Sequence, residues 1–100
     1  MAKYRVQIHP RVGAQLSRHA EFISRVSRAA AQRFRSDFAE MLRRMQDNPY
    51  QFPLCNDPNL PVNFYRKALF GKWYKVIFYI EDTNIFVDAV ADCRSDECGI

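Results

Sequence analysis

The stretch from Tyr65 to Asp96, YRKALFGKWYKVIFYIEDTNIFVDAVADCRSD, constrains this chain more than any other part of it. Apolar and aromatic side chains alternate with polar and basic ones at the two-residue period of a strand. Gly71-Lys72 and Asp82-Thr83-Asn84 interrupt that pattern as turns. The reading is three successive antiparallel strands, from about Phe64 to Leu69, Trp73 to Glu81, and Ile85 to about Cys93. On the central strand Tyr74, Val76, Phe78 and Ile80 share one face, and Trp73, Lys75, Ile77 and Tyr79 the other. Such a sheet buries one face and leaves a cationic one for a negatively charged partner.

The buried face needs a cover, and the upstream sequence supplies it. Val12, Leu16, Ala20, Ile23 and Val26 recur at spacings of three and four, with His19 on the same stripe, which predicts an amphipathic helix interrupted near Ser27. Pro10 suits its first turn, while Gly13 weakens that turn by up to about 1 kcal/mol relative to alanine. Ser27 is placed to cap a second helix from Arg28, whose stripe is Ala31, Phe34, Phe38, Met41, Leu42 and Met45. Asn48-Pro49 stops it, and Tyr50 to Asn63, with Pro53, Pro58 and Pro61, reads as a loop. Before the helices, Tyr4, Val6 and Ile8 alternate as a short strand that His9-Pro10 ends. The predicted order is β-α-α-β-β-β, an α+β fold with a helical hairpin on one face of a small, antiparallel-rich four-stranded sheet. Residues 1–96 form one domain and 97–100 a short tail.

Composition narrows the class. A hydrophobic fraction of 48% excludes wholesale disorder. No apolar run approaches the roughly 20 residues of a membrane span, and MAKYRVQIHP lacks the apolar core of a signal peptide. A soluble cytoplasmic protein is expected. Fifteen Lys and Arg against eleven Asp and Glu give a net charge of +4. The arginines crowd the first half, whereas Glu81, Asp82, Asp88, Asp92, Asp96 and Glu97 gather at the end, an asymmetry that suits an anionic partner. Cys55, Cys93 and Cys98 form no paired spacing, and His9 and His19 lie too far off to complete a zinc set. No metal and no cofactor is expected, and the thiols read as reduced.

Three segments together carry a family resemblance. SRAAAQRFRSDFAEMLRRMQDNPYQFP runs from an alanine-rich helix start through an apolar stripe to a proline loop. YRKALFGKWYKVIFYI joins a basic strand to a glycine turn and an aromatic-basic pair, and VDAVADCRSD closes in arginine and aspartate. In this order, across about Tyr4 to Asp96, they resemble the RelE/ParE superfamily of type II toxin–antitoxin toxins. The resemblance implies a small plasmid-stabilisation type of toxin, neutralised by a cognate antitoxin that is usually encoded beside it and wraps its surface with a helix or strand. RelE-like members are mRNA interferases that cleave at the ribosomal A site. ParE-like members inhibit DNA gyrase and need no nuclease residues, and the second helix resembles theirs more closely.

Whether the chain is an enzyme depends on that division. RNA cleavage by 2′-hydroxyl attack requires a proton acceptor, cations for the phosphorane and a donor for the leaving oxygen. The resemblance nominates Arg66, Lys75 and Arg94 as catalytic if the chain is RelE-like, with Lys67, Lys72, Trp73 and Tyr74 as residues binding phosphate or target. Lys75 stands where the family more often has arginine, which grips phosphate with two donors. Asp92 stands where many relatives have histidine, and an ionised carboxylate there is a poor proton donor. These departures favour ParE-like gyrase inhibition over ribosome-dependent cleavage. A non-toxic basic binding module is the third reading. Each residue also has a plain structural role open to it: Arg94 pairing with Asp96 or the chain end, Arg66 and Lys75 as solvated strand positions, and Trp73 and Tyr79 packing under the helices or the proline loop.

Overall fold

The computed structural model describes residues 3–94. Its elements are β1 (Arg5–Ile8), α1 (Pro10–Ser24), α2 (Arg28–Asp47), a single 3₁₀ turn (Pro49–Gln51), β2 (Arg66–Phe70), β3 (Tyr74–Glu81) and β4 (Asn84–Asp92). The chain therefore has the expected α+β order. Residues 97–100 of the expected tail lie outside the described residues.

Local chemistry sets the helix ends. His9 is extended and its ring nitrogen accepts from the Arg11 backbone N–H at 3.1 Å, while Pro10 occupies the first helical position. Ser27 accepts from the Ala30 N–H at 3.1 Å and starts α2. Asn48 leaves the helical conformation ahead of Pro49, and its side chain accepts from the Tyr50 N–H at 3.1 Å. One expectation fails here. Val26 was placed on the α1 stripe, but α1 ends at Ser24 and Val26 turns outward, 88% exposed. Once the helix stops, its three-and-four spacing no longer sets direction.

The strands form one sheet in the order β1-β4-β3-β2. The hairpins β2–β3 and β3–β4 are antiparallel, and β1 lies parallel to β4 at the edge. Backbone bonds from the Arg5 N–H to Thr83 and from the His9 N–H to Val87, each 2.9 Å, extend that parallel pairing. A parallel neighbour needs a long crossover, and the intervening helices and hairpin provide it.

The core sits between sheet and helices. Val12 and Ala20 of α1 and Phe34, Phe38, Met41 and Met45 of α2 pack on Phe70, Tyr74, Val76, Phe78, Ile85 and Val87. The side chains predicted to share the buried face of β3 do so. Between Ile77 and Phe78 the β4 register slips: Ile77 pairs with Ala89 but Phe78 with Val87, leaving Asp88 as the extra residue of a bulge. After it the faces exchange, so Ala89 points away from the helices and Val90 toward them.

The far face of the sheet is not left open throughout. Cys55 and Leu60 of the proline loop bury themselves against Ile77 and Ala89. That cover is tied down by the Cys55 N–H to Tyr65 at 2.8 Å and the Lys67 N–H to Pro53 at 3.0 Å. The Tyr65 hydroxyl donates to Asp88 at 2.7 Å, and burial first, then that bond, raises its pKa to about 12. No helix among the described residues is long and apolar enough to cross a membrane.

Candidate functional site

A cleft of about 640 Å³ opens where the α1–α2 turn faces the β2–β3 turn. Sequence dictates both walls. Gly71 turns the chain with φ of +57°, a left-handed value that glycine adopts without penalty, and so delivers Lys72 and Trp73 to the rim. Opposite them stand Phe22 and Val26, apolar yet 63% and 88% exposed. Phe34 and Tyr74 line it from α2 and β3, their rings edge to face at 4.7 Å, and Arg33 and Asp37 approach along α2.

Arg94 completes the rim. The Cys93 N–H donates to the Trp73 carbonyl at 2.6 Å, which binds the end of β4 to the turn. Arg94 then folds back on Asp92 through Nε at 3.0 Å and Nη2 at 2.7 Å, while its backbone N–H meets the same carboxylate at 2.8 Å. Its guanidinium lies 5.0 Å from the centre of the Trp73 ring, and the Lys72 ammonium lies 5.3 Å from that centre. The bonds from Arg94 hold the Asp92 carboxyl well below its ordinary 3.8, at about 2, so it stays ionised.

The seven residues nominated from sequence occupy three places. Lys72, Trp73, Tyr74 and Arg94 meet at the cleft. Tyr74 is buried, so its ring belongs to the wall more than to the opening. Arg66 faces the helix side, where it donates to the Phe52 carbonyl at 2.7 Å and lies 5.1 Å from the centre of the Tyr50 ring. Lys67 and Lys75 line a separate hollow of about 400 Å³ beside Cys55, Asn56 and Asp57. Arg94 pairs with Asp92, which the sequence reading did not suggest, whereas the two partners it did suggest, Asp96 and the chain end, lie outside the described residues. Tyr79 packs on the loop side, stacked between Phe64 at 4.7 Å and Phe86 at 4.9 Å, whereas Trp73 remains 43% exposed.

Sequence reasoning missed Phe22, Val26 and Asp37 as residues of the cleft. Phe22 carried a usable signal, because a large apolar residue off the α1 stripe has no core to enter. His19, which the spacing puts on the apolar stripe of α1, is half-buried, 5.0 Å from the Tyr74 ring centre and 6.3 Å from that of Phe34.

Burial pushes the His19 imidazole below its ordinary 6.5, opposed by a backbone hydrogen bond at Val90 and by nearby Asp92 and reinforced by Arg18. The folded state therefore prefers the neutral ring. Its contribution to stability is complete above the unfolded pKa and is lost as pH falls through the lower folded one. Urea unfolding should show lower stability at about pH 5 than at neutrality, and His19→Phe should flatten that difference. An unchanged pH dependence in the variant would clear His19. Asp92 titrates in a separate window, its contribution being lost only as pH falls from 3.8 toward about 2.

No protein-family model matches the chain, and no curated protein matches it. Among solved structures, a chain from the chromosomal ParDE TA system of P. aeruginosa matches with a TM-score of 0.70. The match covers 90% of this chain and 96% of that one at 13% sequence identity, and it is a likeness of fold.

Proposed function

We propose that the chain is the toxin of a type II toxin–antitoxin system, that its cognate antitoxin neutralises it from the cleft, and that the free toxin inhibits DNA gyrase. The fold shared with a ParDE chain over nearly the full length of both carries this reading. The cleft suits the partner it requires. Apolar Phe22, Val26 and Phe34 would receive one face of an amphipathic segment, and Arg33 and Lys72 on its lining would meet acidic side chains flanking that face.

The choice of gyrase over messenger RNA rests on how the nominated cations are distributed. A phosphorane needs its cations around one phosphate. Arg66 is engaged on the helix side, Lys75 lies beside the proline loop, and Arg94 is paired with Asp92. That separation favours action by protein contact, in a cytoplasmic setting where the topoisomerase works. Purified protein should block supercoiling of relaxed plasmid by gyrase, and added antitoxin should restore it. Full supercoiling at large toxin excess would refute the gyrase target. Cuts at A-site codons in a translation extract would favour the endonuclease instead.

A further inference from the structure

Two guanidinium groups line the cleft, those of Arg33 and Arg94, and the Nε/Nη2 edge of Arg94 is already occupied. Both oxygens of Asp92 are engaged, Oδ1 by Nε and the backbone N–H of Arg94, Oδ2 by Nη2. A planar guanidinium offers two parallel donors to a carboxylate or a phosphate, and not to both along the same edge. Trp73 adds a second restraint, because its ring centre lies 5.0 Å from the guanidinium carbon. The pair joins two residues at the close of β4, where the Cys93 N–H bond to the Trp73 carbonyl holds the chain. Lys72 remains beside the Trp73 ring, and Asp37 on α2 adds a further negative charge to the lining.

We infer that Asp92 is a specificity-determining residue of the cleft: by filling the Nε/Nη2 edge of Arg94 it weakens the hold on phosphate-bearing ligands, nucleic acid included, and leaves the site to protein side chains. Phosphate seeking the Nε/Nη2 edge of Arg94 must displace a carboxylate held by three hydrogen bonds and approach its charge. An apolar side chain entering against Phe22 and Phe34 displaces nothing. The inference concerns the ligand class admitted by the cleft and holds whichever cellular target the chain acts on.

Trp73 is the single tryptophan of the chain, so its fluorescence reports on this site directly. Titration with a short oligouridylate RNA at low salt should leave the wild-type signal without a saturable change. Asp92→Asn, and equally Asp92→Ser, should bind with affinity at least about tenfold higher, the size of one charge-assisted contact. The gain should vanish in Asp92→Asn/Arg94→Gln and weaken with added salt. Wild-type binding as tight as that of either variant would overturn the inference, as would a gain that survives loss of Arg94. A measurement on wild type alone guards against misfolded variants. The Arg94 Nε–H resonance should not move with added inorganic phosphate, and a saturable shift would overturn the inference by itself.

Discussion

Phe78→Ala should remove a large share of the stability of this protein. Phe78 is the largest of the fully buried side chains and sits in β3, which has a strand on each side. Its ring meets Phe52 edge to face at 5.9 Å, so it also holds the start of the proline loop against the sheet. Truncating a buried phenylalanine costs about 3–5 kcal/mol, the lost transfer energy plus the cavity left behind. A domain of this size has roughly 5–15 kcal/mol in total. The urea midpoint should fall by roughly 2 M at an ordinary slope for a small domain. A shift below about a quarter of that would mean the core repacks around the gap.

The opposite pattern is expected from Phe22→Ser/Val26→Ser. Phe22, in the last turn of α1, and Val26, in the α1–α2 turn, project into solvent at the cleft rim. Their loss opens no core cavity, so the melting temperature should stay close to wild type, within about 0.5 kcal/mol of stability per site. Antitoxin binding should weaken about a hundredfold, because apolar anchors seated in a pocket dominate interface energies. Calorimetric titration with the product of the neighbouring reading frame measures both variant and wild type. An unchanged dissociation constant would place the antitoxin elsewhere on the surface.

These two sites also mark what the amino-acid sequence reveals and what it hides. Phe78 was legible because a strand repeats every two residues and a helix every three or four. That periodicity put Tyr74, Val76, Phe78 and Ile80 on the helix side without further information. The parallel seat of β1 beside β4 has no local signal, since edge pairing depends on which elements the crossover spans. Nor does any residue announce Asp88 as a bulge, although the slip exchanges the faces of β4 beyond it. Arg66 and Lys75 looked like one cationic surface because both fall in basic strands. Their separation depends on strand register and on where Phe52 and Cys55 bring the loop. The Asp92–Arg94 pair was hidden for a similar reason: it needs β4 to end at the Trp73 carbonyl, a contact between distant residues. Val26 shows the limit from the other direction, where a stripe extended too far by pattern is cut off by a helix end.

Growth after induced expression, alone and together with the reading frame beside it, tests the toxin reading most directly. Growth arrest by this chain, relieved when the neighbour is co-expressed, is the expected result. Unimpaired growth at full expression of folded protein would contradict it and leave a non-toxic binding module in its place.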